Sequence, residues 1–281
     1  RAFAVVTVII NHFNKEMLPN GYLGVDIFFV ISGFVITSSF YQRPSKNFKD
    51  FISGFFERRI KRLVPTLLVF VLIMSITICL FNSNPSLSLR TGLTSLFGIS
   101  NLYLLKQSTD YFAQNTQLNV FAHTWSLGVE EQFYIFFPFL IWFSGFGKCT
   151  KNSIRNLFLV VGSLATTSLI GFSLFYSTNQ PATYFLMPTR FWEMAAGCLL
   201  FIGIQRTKSI KQSFKKVPSL LVFGLVIVVM YLPTSRAETL NIAVVVLSAV
   251  LIGSLRKRTI LYKILTHPKV VYIGLISYSL Y

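Results

Sequence analysis

The stretch Val64–Phe81, VPTLLVFVLIMSITICLF, contains no charged residue in 18 positions. At about 1.5 Å per residue, a helix of that length covers about 27 Å, close to the roughly 30 Å thickness of a bilayer's hydrocarbon core. Only 12% of the chain's residues are charged, against about 25% in soluble domains. The sequence therefore predicts an all-α polytopic transmembrane helix bundle. Further apolar runs are Phe133–Phe146, Leu157–Phe175, Val217–Leu232 and Leu240–Leu255.

The basic residues, which give the chain a net charge of +17, lie mainly in short loops between the apolar runs. Of the 26 Lys and Arg residues, 20 fall in 42–62, 146–155, 206–216 and 256–269. Because an excess of Lys and Arg marks cytoplasmic loops, we expect all four loops on the cytoplasmic side. The charge is thus explained by orientation in a membrane, and no nucleic-acid partner is expected.

Placing the basic loops on one side predicts about nine spans. They are 1–13, 23–41, 63–82, 125–145, 156–176, 186–205, 217–233, 239–255 and one starting near 270. A further span in 83–124 would invert every later loop, so its apolar segment near 89–105 is expected to be re-entrant or interfacial. We expect a single integral-membrane domain over 1–281, truncated at both ends, since the sequence starts at Arg1 and stops inside an apolar segment.

The first apolar segment carries two polar groups of chemical interest, Arg1 and His12. Eleven residues correspond to about three helical turns, so both side chains should share one face, about 16 Å apart along the axis. Ionisable residues inside a membrane are costly, and they usually mark functional sites. His12 is therefore a candidate catalytic residue.

The second span contains Asp26 and several small residues. A buried carboxylate must be paired or face water, and for Asp26 a catalytic role and a purely structural pairing are equally open. Gly24, Ser32 and Gly33 favour close packing between helices.

Three arginines, Arg58, Arg59 and Arg62, lie in the run ERRIKRLVP before the third span. On a helix, residues three and four apart project to one side. Forked guanidiniums suit phosphate oxygens, because each can bind them in a bidentate manner. The alternative is a positive-inside anchor without a ligand.

The fourth span opens with HTWSLGVEEQFY at 123–134. Adjacent carboxylates point about 100° apart, so one of Glu130 and Glu131 should face the bundle interior and the other should reach outward. Trp125 fits an interfacial aromatic belt. In the sixth span, Arg190 and Glu193 are three residues apart and can pair.

Six motifs in order carry a resemblance to a known family. They are Arg-x10-His at 1–12, GYLGVDIFFVISGFVIT at 21–37, RRIKRLVP at 58–65, HTWSLGVEEQFY at 123–134, RFWEMAAG at 190–197 and ISYSLY at 276–281. The chain resembles the acyltransferase-3 family of bacterial membrane O-acyltransferases, which modify O-antigen or peptidoglycan. The resemblance implies functional roles for Arg1, His12, Arg59 and Arg62. It also implies a cytoplasmic acetyl-CoA donor, a glycan acceptor and the inner (plasma) membrane. Relatives often carry a further extracytoplasmic domain at the C-terminal end.

Together these observations predict a membrane O-acyltransferase that acylates a cell-surface glycan. An imidazole changes charge near neutral pH, which suits a base for a sugar hydroxyl, although a covalent acyl-histidine stays open. The catalytic candidates are His12, Glu130 and Asp26. Candidates for donor binding are Arg1, Arg58, Arg59 and Arg62, and candidates for acceptor binding are Trp125, Ser126, Arg190 and Glu193. No metal site is expected. Two alternatives remain: a transporter or flippase of acyl groups or lipids, and an acyltransferase-like sensor or scaffold that has lost activity. The presence of His12, Arg59 and Arg62 argues against the second.

Overall fold

A computed structural model describes residues 1–43, 47–110, 119–145 and 151–280. These residues form helices and turns, with no strand among them, which confirms the all-α class. The helices, numbered α1 to α14, are Ala2–Phe13, Gly24–Tyr41, Phe48–Phe81, Ser86–Leu96, Ser100–Asp110, Thr124–Phe143, Lys151–Thr178, Gln180–Phe185, Met187–Arg206, Lys208–Lys216, Ser219–Tyr231, Ala237–Ser254, Ile260–Leu265 and Pro268–Leu280. The predicted loop residues Lys46, Lys148 and Cys149, and the motif's last residue Tyr281, lie outside the described residues.

Each of the nine predicted spans coincides with a helix, but nine membrane crossings are not confirmed. Within the described residues, four helices are long and apolar enough to cross a bilayer: α2 with its preceding turn, α3, α7 and α12. Counting the bent pair α10 and α11 as one span gives up to five. Helices α6 and α9 have 20 residues each, and charged side chains lower their mean hydropathy.

Helix α3 corrects the prediction that 42–62 is a loop. It runs unbroken for 34 residues, from Phe48 through the basic run and Pro65 to Phe81. Phe51, Phe55 and Leu63 are buried along its first half, so an apolar stripe holds the basic part in a helix. In its second half large apolar side chains stay exposed, for example Leu72 at 62% and Leu80 at 73%. Such a surface is suited to lipid.

The chain divides into two compact units, which are described separately. The first comprises Arg1–Arg43, Ser144–Thr166 and Trp192–Leu280. In it, α1 packs against α2 and α14, α2 packs against α12, and α12 packs against α11. The predicted loop 206–216 is largely helical here, as α10, and it packs against α12.

Close backbone contacts in the first unit confirm the predicted packing role of Gly24 and Gly33 in α2. A methyl group added at Gly33 would overlap the carbonyl group of Met194, and one added at Gly197 would overlap the carbonyl oxygen of Val30. Gly24 lies equally close to the carbonyl oxygen of Ala4 in α1. Absent side chains therefore let these helices approach backbone to backbone.

The second unit comprises Pro44–Phe143 and Thr167–Phe191, within the described residues. Here α3 packs against α4, and α5 packs against α6 and α8. Aromatic rings join α3 to α6, with Phe51 and Trp142 centroids 5.4 Å apart. The predicted re-entrant or interfacial segment is the pair α4 and α5, of 11 residues each, or about 16 Å, so neither helix alone crosses a bilayer.

The break between α4 and α5 is held against α6. Gly98 has φ +68°, a conformation that glycine adopts without strain, and a side chain there would meet the carboxylate of Glu131. The Gln132 amide donates to the Asn101 side-chain oxygen at 2.8 Å and to the Gly98 carbonyl at 3.2 Å. Asn101 in turn donates to the Phe185 carbonyl at 2.9 Å. The sequence HTWSLGVEEQFY thus also anchors the break between α4 and α5.

Candidate active site

Helix α1 places Arg1 and His12 at its two ends, as the sequence predicts. Arg1 is the N-cap and is half-buried, whereas His12 in the last turn is exposed. The His12 Nδ1 atom lies 2.9 Å from the carbonyl oxygen of Val8. Because a carbonyl oxygen only accepts, Nδ1 carries the ring proton in this contact. In the neutral tautomer that makes this contact, Nε2 carries the lone pair, which is the form that a general base requires.

The chain reversal after His12 is fixed by a residue that the sequence analysis did not select. Asn11 is buried, and its amide donates to the carbonyl oxygens of Leu18 at 2.8 Å and Pro19 at 3.1 Å. Its only sequence signal is an amide beside His12 in an apolar helix. Asn11 therefore holds the end of α1 in place.

Asp26 is buried on α2, and its Oδ1 atom accepts a hydrogen bond from the Asn241 amide of α12 at 3.1 Å. The His12 ring is oriented by Val8 in its own helix rather than by this carboxylate. The contact supports the pairing interpretation of Asp26. Glu193 also belongs to the first unit and is fully buried there.

In the second unit, the structure distinguishes among the three arginines of α3. Arg58 and Arg62 are exposed, whereas Arg59 is half-buried. The Arg59 guanidinium carbon lies 4.1 Å from the centroid of the Tyr134 ring and 5.6 Å from that of Phe55. A cation over an aromatic face is attracted by the ring's quadrupole. The Arg59 side chain of α3 is therefore held against the Tyr134 ring of α6.

Tyr134 links Arg59 to the carboxylate of Glu130, a predicted catalytic residue. Its hydroxyl donates to Glu130 Oε2 at 2.9 Å, and both side chains are buried. Glu131 is only half-buried, in agreement with the expected difference between the two carboxylates. Tyr134 is not among the candidates predicted from sequence, although its position four residues after Glu130 places both on one helix face. Arg59, Tyr134 and Glu130 therefore form one polar group.

A second aromatic cluster surrounds Arg190. Its guanidinium carbon lies 5.0 Å from the Tyr184 ring centroid, 5.7 Å from Phe172 and 5.8 Å from Trp125. Trp125 and Tyr184 pack at 4.3 Å between centroids. The structure thus brings the predicted acceptor residues Trp125 and Arg190 together. Trp125 is buried rather than exposed at an interface.

The remaining predicted acceptor residue, Ser126, is buried, and its hydroxyl donates to the His123 carbonyl at 3.3 Å. The predicted residues thus fall into two sets. Arg1, His12, Asp26 and Glu193 belong to the first unit, and Arg58, Arg59, Arg62, Trp125, Ser126, Glu130 and Arg190 belong to the second. Within the described ranges, no three His, Cys, Asp or Glu side chains lie together in a way that would hold a metal ion.

These features describe a helical protein with helices long and apolar enough to cross a membrane, an exposed histidine and three arginines on one helix. A family model described as an acyltransferase domain matches residues 1–281, so the chain belongs to the acyltransferase-3 family and the resemblance drawn from the motifs is confirmed.

The curated relatives include O-acetyltransferase OatA of Staphylococcus aureus strain NCTC 8325. It is 36% identical over 201 residues, which cover 71% of this chain and 33% of that protein. A protein of S. aureus strain COL, provisionally named an O-acetyltransferase, is 29% identical over 294 residues and matches 100% of this chain and 48% of its own length. The chain thus spans a third to about half the length of these relatives. No solved structure gives a significant match.

Proposed function

We propose that the protein is a membrane O-acyltransferase that moves an acetyl group from acyl-CoA to a hydroxyl of a cell-surface glycan. The observation that carries the proposal is the contact between His12 Nδ1 and the carbonyl oxygen of Val8. With Nδ1 as the donor in this contact, Nε2 is the nitrogen that can accept a proton from the acceptor hydroxyl. Family membership and the names of the relatives agree with it.

In this proposal His12 Nε2 takes the proton of the acceptor hydroxyl while that oxygen bonds to the thioester carbonyl carbon. The carbon–sulfur bond then breaks, and the imidazolium returns the proton to the departing coenzyme A sulfur. General bases of this kind contribute about 10²–10⁴-fold to rate. Attack by Nε2 itself, with a transient acyl-histidine, uses the same ring geometry and remains the variant mechanism.

The donor's phosphates are assigned to the arginines of α3. Arg59 is held by the Tyr134 ring, and Arg58 and Arg62 are exposed on the same helix. Planar guanidiniums fit phosphate oxygens in a bidentate manner. By the charge rule, these arginines would lie on the cytoplasmic side of the membrane, which is where acyl-CoA is found. Arg1 was predicted as a further donor residue.

The aromatic cluster around Arg190 is buried, so its residues are better suited to shaping the acceptor site than to contacting the sugar. Trp125 is packed against Tyr184, so it offers little ring surface to a sugar in this conformation. We infer that Trp125, Ser126 and Arg190 fix the shape of the acceptor site. Glu193 remains a predicted acceptor residue of the first unit.

Sealed proteoliposomes of known orientation test the proposal. Acyl-CoA is supplied on the side of the basic loops and a glycan on the other, and both consumption of acyl-CoA and acylated glycan are measured. We expect product only when donor and acceptor are on opposite sides. Product only with both substrates on the basic-loop side would contradict transfer through the membrane. Release of unreacted acyl groups or lipid without ester formation would indicate the transporter alternative.

Arg59→Ala is expected to raise the KM for acyl-CoA by about tenfold to a hundredfold, the loss expected for a charge-assisted hydrogen bond to phosphate. Arg59→Lys should restore only part of this, since lysine lacks the planar fork. Steady-state kinetics at varied acyl-CoA give the comparison.

The matched control is Lys61→Ala on the same helix. Lys61 is exposed and pairs with Glu57 at 2.5 Å, and such surface pairs contribute little. An equal rise in KM for both variants would show that α3 attracts the donor only through general positive charge.

A further inference from the structure

A cavity of about 450 Å³ lies within the first unit, inside the range of 300–1,000 Å³ that is usual for small-molecule sites. Helices α1, α2, α11, α12, α13 and α14 supply its walls, which are mainly aliphatic and aromatic; they include Ile27, Phe223, Val226, Leu251 and Leu275. Such walls favour a hydrocarbon ligand over water.

One buried polar group on these walls has no partner among the described residues. Ser248 of α12 is 3% exposed, lines the cavity, and its Oγ atom makes no hydrogen bond. A helical serine can bond back to a carbonyl of its own helix, and Ser254 does so with Leu251 at 3.0 Å. Leaving a buried hydroxyl without a partner is costly, so Ser248 points to a ligand atom that accepts a hydrogen bond.

A cationic side chain, that of Arg1, also lines this cavity. Arg1 lines it together with the hydroxyl-bearing Tyr262 and Thr266, and the Thr266 hydroxyl already donates to the Tyr262 carbonyl at 2.7 Å. The site therefore combines a guanidinium, apolar walls and one free hydroxyl. A guanidinium favours a phosphate, and the walls favour an alkyl chain.

We propose that this cavity binds an anionic phospholipid, with the phosphate at Arg1, an ester carbonyl accepting from Ser248, and an acyl chain along the apolar walls. A pantetheine arm fits less well, because its two amides would need several partners and the walls offer few. Arg1 thereby receives a lipid phosphate instead of the donor phosphate that the sequence predicted. The lipid would brace the end of α1 opposite His12.

Native mass spectrometry of the purified full-length protein, after delipidation and addition of phosphatidylglycerol, tests the proposal. We expect one lipid per chain, and weaker retention of diacylglycerol with the same tails. Ser248→Ala should bind phosphatidylglycerol about fivefold more weakly through the loss of one hydrogen bond. Ser248→Leu, which removes the hydroxyl and places a bulky apolar side chain where the ester carbonyl would lie, should bind phosphatidylglycerol more weakly than Ser248→Ala.

Ser254→Ala is the matched control, since that serine is buried on the same helix but does not line the cavity. It should bind lipid as the wild type does. Equal lipid binding by wild type and Ser248→Leu would overturn the proposal, as would displacement of the lipid by acyl-CoA in a one-to-one ratio. Binding is read without turnover, so the result is separate from that of the transferase assay.

Discussion

Replacing His12 by alanine is expected to lower the rate of acyl transfer by about 10²–10⁴-fold while the protein still inserts and folds. The ring is exposed, and its one hydrogen bond goes to the Val8 carbonyl of its own helix, so its loss removes little packing. The chemistry loses the Nε2 lone pair, which alanine does not replace. Acyl-CoA consumption and product formation by the purified protein, at matched expression, give the measurement.

His267→Ala is the control for this prediction, because His267 is also exposed but lies between α13 and α14, away from the proposed chemistry. It should retain wild-type turnover. If His12→Ala turned over at a similar rate to His267→Ala, then His12 would be excluded from the reaction and the proposed mechanism would fail.

Gly33→Ala is expected to destabilise the folded protein by at least about 1–3 kcal/mol, the cost typical of overpacking. The added methyl group would overlap the backbone carbonyl of Met194, which cannot rotate away as a flexible side chain does. Helices α2 and α9 would have to separate, and the carbonyl of Gly33, which accepts from Thr37 at 2.8 Å, would move with them. Thermal unfolding in detergent measures the loss.

The control Gly162→Ala should have the opposite sign. Nothing lies within 4 Å of a methyl group added at Gly162 in α7. Alanine is a better helix former than glycine by up to about 1 kcal/mol, so this variant should be neutral or slightly more stable. A similar loss of stability in both variants would attribute the effect to glycine in general and not to close contact at Gly33.

The helices were predictable because apolar runs are long and uninterrupted, and a helix lies at each of the nine positions assigned from sequence. The beginning of α3 was missed, since charged residues between apolar runs were interpreted as a loop. The signal was present: Phe51 and Phe55 are four residues apart and both are buried. Periodicity within the basic run would have identified the helix.

The site was predictable as a set of residue types but not as a set of contacts. Asp26 needed a partner, yet its partner Asn241 lies 215 residues away, a distance that spacing rules do not reach. Tyr134 was within reach of such rules because it lies one turn from Glu130. Trp125 was expected at an interface, and only the fold shows that Tyr184 covers it.

The length of α3 ties the arginine cluster to the bilayer itself. Its 34 residues measure about 51 Å, against a hydrocarbon core of roughly 30 Å, so part of this rigid rod projects beyond the core. In a thinner bilayer a long helix adapts by tilting, and Arg59 would swing with it unless the rod bends at Pro65. Hydrophobic mismatch therefore acts on the end of α3 to which we assign the donor phosphates. If that assignment holds, the acyl-chain length of the surrounding lipids should change the affinity for the donor.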